Sequence, residues 1–299
     1  MKQSIYQIVY SKHINWLLRN ANRHVNRILG TSFELPPSGA LRVHATGGQP
    51  FSMLTNQTNY VTHLIFWRGY QNFEYTKIFV KLLPKINGFY DVGANIGYYS
   101  LLAASIRPEL QITAFEPSRG PLHYLRANCD INRFQNILVE DLALADVVGE
   151  ITFYENQSKK YTYVKHNLGG EGNAGSKTNA GQFSTNTVKA ITFDAYTKLH
   201  QPQHIDLIKI DTEGTEHLIL GSAQETLRKY RPIVICETLF NANEGELEQI
   251  FAPLDYAFYN EAPNKLVRVE SIQRTTDNGI RNCFFVPKEK QHLIAEFTV

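Results

Sequence analysis

The chain has 299 residues, 43% hydrophobic and 19% charged, which is enough apolar material for a substantial core and excludes the disordered and fibrous classes. Its formal net charge of +2 offers no broad basic field, so no nucleic-acid partner is expected. Three scattered cysteines, no apolar run of membrane-spanning length and no signal-peptide core favour a cytoplasmic protein.

The first thirty residues predict an amphipathic basic helix. They hold five basic side chains and no acid, and apolar residues from Ile14 to Ile28 recur at helical spacing. Such a helix packs on its own domain or mediates a dimer more often than it meets a lipid surface. Peripheral contact with the inner face of a membrane through residues 1–30 is therefore kept as the alternative. Residues 41–54 predict a hairpin around Gly47-Gly48.

Strands alternate with helices from residue 88 onward, after a predicted N-terminal extension over 1–80. This alternation predicts an α/β, doubly wound domain over 81–299 with a mostly parallel sheet. The Gly- and Lys-rich segment 155–187 interrupts it and is predicted to be a structureless insertion, more often a lid than a disordered loop. We predict strands near 88–92, 111–116, 136–141, 205–211, 231–237 and 282–287, and helices near 97–106, 118–132, 215–229 and 243–252.

A glycine turn follows the first predicted core strand. Gly93 and Gly97 allow a sharp turn into the next helix and close approach of a ligand to the backbone. Glu116 ends the second core strand, where a carboxylate can accept hydrogen bonds from both hydroxyls of a ribose. The two features together predict an adenosine-containing cofactor.

The spacing of the two glycines in the turn indicates which of these cofactors is bound. Ala94 and Asn95 stand between the glycines, so the central glycine of the dinucleotide-binding fingerprint is missing and phosphate cradling is disfavoured. Asp91 makes the pattern DxGxxxG, which suits S-adenosylmethionine, with Asp91 orienting the methionine amino group through water. A nicotinamide-dependent oxidoreductase is the weaker enzymatic alternative.

Acidic residues follow two later strands and are the predicted reaction centre. Asp211 could hold the methionine amino group, lie near the sulfonium or receive the acceptor's proton. Glu213 and Glu237 are further candidate bases, ranked with Asp211 before His217. Asp211 and Glu237 could also hold Mg²⁺, but no third ligand is identifiable, so no metal site is assigned and Mg²⁺ dependence is not favoured.

The strand on the other side of the predicted sheet ends at Asp141 and Leu142. These residues are expected beside the adenine, with the carboxylate accepting from the exocyclic amine and Leu142 supplying apolar surface. A solvated acid at the end of the strand is an equal alternative for Asp141.

Four segments give the chain a family resemblance. They are Asp91-Val-Gly-Ala-Asn-Ile-Gly97, Phe115-Glu-Pro117, Ala143-Leu-Ala-Asp146 with Gly149, and Leu207-Ile-Lys-Ile-Asp-Thr-Glu-Gly-Thr-Glu216. With them the chain resembles the FkbM-type S-adenosylmethionine-dependent methyltransferases. The resemblance implies a Rossmann-like class I fold, cofactor contacts that include Glu116 and Pro117, and O-methylation of a hydroxyl on a saccharide, glycan or other small metabolite. Glu74 is similar to a recurrent family acid. A non-catalytic methyltransferase-like binding module remains the alternative from another class.

Overall fold

A computed structural model describes residues 2–169 and 182–298. In these residues the helices are α1 Lys2–Val9, α2 Lys12–Leu29, α3 Tyr60–Arg68, α4 Thr76–Leu82, α5 Tyr98–Ile106, α6 Arg119–Asn132, α7 Phe193–His200, α8 Glu216–Gly221, α9 Gln224–Tyr230 and α10 Glu244–Phe251. The strands are β1 Gly39–Val43, β2 Phe51–Thr55, β3 Gly88–Val92, β4 Gln111–Phe115, β5 Ile137–Glu140, β6 Ala143–Leu144, β7 Gly149–Gln157, β8 Gln182–Ile191, β9 Leu207–Ile210, β10 Ile233–Glu237, β11 Tyr256–Ala262, β12 Lys265–Val269 and β13 Asn282–Pro287.

The central sheet has eight strands in the order β12-β11-β13-β10-β9-β3-β4-β5. The five strands from β10 to β5 run parallel, and β13, β11 and β12 add an antiparallel edge. The chain moves from β3 outward to β5 and later returns to build β9 and β10 on the other side of β3. The predicted doubly wound α/β fold with a mostly parallel sheet is therefore confirmed, and its strand order reverses between β3 and β9, where such sheets bind ligands.

Apolar side chains cover both faces of this sheet. Phe89 of β3 packs in a cluster with residues of α4, α5 and the β1–β2 hairpin. The adjacent Tyr90 belongs to a second cluster with residues of α7, α8 and α10. Because successive residues of a strand point to opposite faces, the two clusters lie on opposite sides of the sheet. The strands are buried on both sides, which leaves their carboxyl ends as the accessible part.

The predicted helix over 215–229 is two helices in the structure. Helix α9 begins at Gln224 because the carboxylate of Asp194 accepts hydrogen bonds from the backbone N–H of Glu225 at 2.9 Å and of Thr226 at 2.8 Å. A side chain more than thirty residues upstream thus supplies the acceptor at this helix N-terminus. Gly221 is a local signal for the end of α8, but nothing near it predicts that Asp194 supplies this acceptor.

The segment 155–187 is not structureless at its ends. β7 and β8 pair as an antiparallel hairpin from Gly149 opposite Ala190 to Gln157 opposite Gln182. The polar composition that suggested a loop is compatible with these strands because backbone groups make the pairing. The central part of the predicted insertion, residues 170–181, lies outside the described residues.

Helix α2 packs on the domain through a polar face and turns its apolar face outward. Asn15 and Arg19 are buried, whereas apolar residues such as Leu17 and Ile28 are exposed. Arg19 donates hydrogen bonds to the carbonyl oxygens of Ser38 and Ala40, which fixes the helix beside β1 through its polar side. Within the described ranges, no helix is both long and apolar enough to span a lipid bilayer.

Candidate active site

A cavity of about 990 Å³ lies at the carboxyl ends of β3, β4, β9 and β10. The residues directly after these strands form one side of its wall. Part of the β7–β8 hairpin and the segment that follows β7 form the opposite side. Wall residues used below are Glu74, Gly93, Ala94, Asn95, Glu116, Pro117, Leu142, Lys209, Asp211, Glu213 and Glu237.

The turn after β3 depends on glycine at two positions. Gly93 has a φ of 70°, and a Cβ atom there would lie 1.9 Å from the carbonyl oxygen of Asp211. Gly97 has a φ of 90°, and its Cβ would lie 2.5 Å from Leu125 Cδ1. Gly93, Ala94 and Asn95 form part of the cavity wall, whereas Gly97 lies beneath it. Gly97 therefore shapes the turn and, contrary to the sequence expectation, does not line the cavity.

Glu116 is held rigidly at the end of β4. Its two carboxylate oxygens accept hydrogen bonds from the backbone N–H groups of Asn95 and Ser118, each at 2.8 Å. Burial raises the pKa of Glu116 to about 7, although these two hydrogen bonds act in the opposite direction. Each oxygen keeps a lone pair for a further donor. The side chain reaches the cavity, so it is placed to accept from a ligand's hydroxyl groups.

Asp91 supports the turn from behind the cavity wall. It is 1% exposed and accepts a hydrogen bond from Ser100 Oγ at 2.6 Å. The Nζ atom of Lys209 lies 3.5 Å from Asp91 Oδ1 and donates to the carbonyl oxygen of Gly93 at 2.7 Å. Lys209, not Asp91, is on the wall. The expectation that Asp91 orients a ligand is therefore corrected: Asp91 is paired with Lys209 and does not line the cavity.

Lys209 connects the turn to the reaction side of the cavity. Its Nζ atom lies 3.7 Å from Asp211 Oδ2, and the lysine is almost fully buried. Burial lowers the pKa of Lys209, but the carboxylates of Asp211, Asp91 and two glutamates outweigh it, so the pKa is raised overall. The ammonium group of Lys209 thus lies between Asp91 and Asp211, where the strand order of the sheet reverses.

Two glutamates on the wall have strongly raised pKa values. Burial and the neighbouring Asp211 raise the pKa of Glu237 to about 9, and its Oε2 atom is buried with no hydrogen-bond partner in the described parts of the chain. Solvent reaches Glu74 through the cavity, yet desolvation and Asp211 raise its pKa to about 7. Glu74 accepts a hydrogen bond from Tyr99 Oη at 3.1 Å. At neutral pH, Glu237 is protonated and Glu74 is near its midpoint.

The turn after β9 brings one further predicted acid to the cavity and buries another. Glu213, with a φ of 60°, lines the wall. Glu216 is fully buried, and its Oε1 atom accepts from the backbone N–H groups of Thr212 at 2.8 Å and Gly214 at 3.1 Å. His217 does not line the cavity and its Nδ1 atom is buried inside the protein. The structure therefore separates His217 from the carboxylates with which it was grouped, because it follows Glu216 into α8.

The two residues expected beside an adenine have different surroundings. Leu142 lines the cavity, as does Pro117. Asp141 lies on the surface, where it forms an ion pair with Arg126 at 3.3 Å, and does not reach the wall. Asp141 is the solvated acid at a strand end that the sequence left as the alternative.

Within residues 2–169 and 182–298, no three His, Cys, Asp or Glu side chains are grouped so that they could hold a metal ion.

The family model described as the methyltransferase FkbM domain matches residues 91–264. The chain belongs to the FkbM methyltransferase family. AMB antimetabolite synthetase AmbE of Pseudomonas aeruginosa is 26% identical over a match of 246 residues that covers 72% of this chain, and the chain spans 11% of the length of that curated relative. The solved methyltransferase FkbM from Methylobacillus flagellatus is 14% identical with a TM-score of 0.41, covering 67% of this chain and 43% of the other. A SAM-dependent methyltransferase from Agrobacterium tumefaciens is 10% identical with a TM-score of 0.39, covering 84% and 71%.

Parts of the wall lie outside the FkbM match. Tyr60 and Arg68, from α3, line the cavity although α3 belongs to the predicted N-terminal extension. Asn59 caps α3 and donates to Asn95 Oδ1 at 3.3 Å, which links the extension to the glycine turn. Sequence reasoning missed these residues because nothing local distinguishes them from ordinary surface positions. The position of segment 155–187 before β9 was the one signal for the opposite wall, to which Tyr161 contributes.

Proposed function

We propose that this chain is an S-adenosylmethionine-dependent methyltransferase that transfers a methyl group to a hydroxyl of a saccharide, glycan or other small metabolite. Membership of the FkbM family supports methyl transfer. The observation that carries the proposal is that one cavity holds both groups that suit a nucleoside and acids that could take part in the reaction. Glu116 and the glycine turn form a nucleoside cradle on one side, and Asp211, Glu237 and Glu74 form an acidic reaction side.

The residues of the cradle fit the proposed cofactor. The free lone pairs of Glu116 suit the two ribose hydroxyls, and Gly93 presents backbone without a side chain between strand and ligand. Leu142 and Pro117 offer apolar surface for the adenine. Asp211, with a carboxylate 41% exposed, suits the methionine ammonium. A volume of about 990 Å³ leaves room for an acceptor beside a molecule of this size.

The chemistry that the bound cofactor supplies is an electrophilic methyl group on a sulfonium, whose S–C bond breaks as the acceptor's O–C bond forms. The chain's own residues align the acceptor with that bond and exclude water from it. Glu237, protonated at neutral pH, can donate a hydrogen bond that holds the acceptor. Glu74 has a pKa matched to accepting the hydroxyl proton near neutrality. Asp211 and Glu213 remain candidates for the same proton.

A panel of saccharides incubated with the protein and S-adenosylmethionine tests the reaction. Mass spectrometry should show a gain of about 14 Da in at least one acceptor, at a methyl ether position. The variants Asp211→Asn and Glu116→Ala should each lose most of this product, whereas Glu150→Gln, an exposed glutamate outside the cavity, should not. Unchanged turnover in both site variants, or a methyl group found on nitrogen or carbon, would refute the proposal.

A further inference from the structure

An apolar surface without a partner covers the N-terminal helices. Eighteen large apolar side chains are exposed in the described residues, and ten of them lie between Ile5 and Phe33. We call this the N-terminal apolar face. Its members are Ile5, Ile8, Ile14, Trp16, Leu17, Leu18, Val25, Ile28, Leu29 and Phe33. An apolar surface of this density on one short segment marks an interaction site.

Four members of the face form one continuous stripe of α2. Ile14, Leu18, Val25 and Leu29 recur at intervals of four or seven residues, so they share one side of the helix. Leu29 is 69% exposed and Ile28, beside it, is 79% exposed. The stripe is therefore presented outward along the whole length of α2.

Polar contacts hold α2 in this orientation. Asn15 donates to the carbonyl oxygen of Pro36 at 3.1 Å and accepts from the backbone N–H of Ser38 at 2.7 Å. Arg23 lies over the ring of Phe66 at 4.0 Å and donates to its carbonyl oxygen. A rotation of α2 that buried the apolar stripe would remove the hydrogen-bond partners of the backbone groups of Pro36, Ser38 and Ala40 beneath the helix, at a cost that favours the observed orientation.

The net charge of the segment selects its partner. Residues 2–33 contain no Asp or Glu, and Lys2, Lys12 and Arg27 are exposed. Two copies of this segment would repel each other, since neither carries an acid to pair with the basic side chains of the other. An anionic lipid surface offers opposite charge to the lysines and arginine and apolar depth to the stripe.

We propose that α1 and α2 bind, in the plane of the interface, to a membrane surface containing anionic lipids. Helix α1 also adjoins the cavity wall, because Tyr6 and, just after the helix, Tyr10 both pack edge-on against Tyr161. Binding would hold the catalytic cavity next to the lipid surface.

Sedimentation of the full chain with vesicles tests this proposal. The protein should bind vesicles of phosphatidylglycerol and phosphatidylcholine at least about tenfold more tightly than vesicles of phosphatidylcholine alone, and added salt should weaken the binding. Leu17→Glu/Ile28→Glu should reduce the binding at least about tenfold. The matched control Val148→Glu/Leu199→Glu makes the same charge change at exposed apolar residues elsewhere and should bind like the unmodified chain.

A second double variant separates the contribution of the basic side chains from that of the apolar face. Lys12→Gln/Arg27→Gln should weaken binding to anionic vesicles severalfold without altering the circular dichroism spectrum, since both side chains are exposed. Equal binding by both glutamate double variants, no binding by the unmodified chain, or a dimer that only Leu17→Glu/Ile28→Glu dissociates would overturn the proposal.

Discussion

Replacement of Gly93 by alanine tests how tightly the glycine turn is built. Its positive φ of 70° costs an alanine roughly 1–2 kcal/mol. The new Cβ atom would also lie 1.9 Å from the carbonyl oxygen of Asp211, which is backbone and cannot rotate away. Such overpacking adds about 1–3 kcal/mol, so the free energy of unfolding should fall by about 2–5 kcal/mol in Gly93→Ala.

Urea denaturation followed by circular dichroism measures this loss, and Gly30→Ala is the matched control. Gly30 has a φ of 64°, but no atom lies within 4 Å of the position that a Cβ would take there. Gly30→Ala should therefore lose only the conformational part, roughly 1–2 kcal/mol. Calorimetry of Gly93→Ala should also show weakened S-adenosylhomocysteine binding. Equal destabilisation in the two variants would refute the steric argument at the turn.

Three further predictions concern the acids. Because ribose hydroxyls donate to ionised Glu116, whose pKa is about 7, S-adenosylhomocysteine affinity should fall as the pH drops from about 8 to about 6, approaching tenfold per unit below the pKa, and calorimetry of Glu116→Gln should show no such dependence. Glu216→Ala leaves the buried Asn243 amide and two part-buried backbone donors unpaired and should cost about 3–5 kcal/mol in urea denaturation, against less than about 0.5 kcal/mol for the exposed Glu246→Ala. Glu74→Gln should lower kcat about a hundredfold and remove an acidic limb near pH 7 from its pH profile, while a limb that persists would assign the proton to another group.

The sequence predicted the centre of the fold because its signals there are local. Each core strand from β3 to β10 is a short apolar run bounded by a turn, and the glycines of the first turn adopt the positive φ that their positions suggested. The antiparallel strands β11 and β12 were missed since their sequences alternate weakly and their stability comes from pairing, of β11 with β13 and of β12 with β11. The break between α8 and α9 depends on Asp194, which sequence reasoning had no means of placing there.

Orientation was harder to predict than position. The spacing of apolar residues located α2 but could not show which face is turned toward the domain, which depends on the hydrogen bonds of buried Arg19 to backbone carbonyl oxygens. In the site, the order of the motifs along the chain correctly indicated that Glu116, Asp211 and Glu237 lie at one cavity. It could not show that Lys209 lies between Asp91 and the cavity, or that His217 is directed away from it. Those outcomes depend on side-chain contacts across strands.

Calorimetry with S-adenosylhomocysteine and with NAD tests the central claim most directly. The account predicts one S-adenosylhomocysteine bound per chain, binding weakened at least about tenfold in Glu116→Gln and unchanged in Glu150→Gln, and no binding of NAD. Binding of NAD without S-adenosylhomocysteine, or S-adenosylhomocysteine binding unaffected by Glu116→Gln, would contradict the assignment of the cradle.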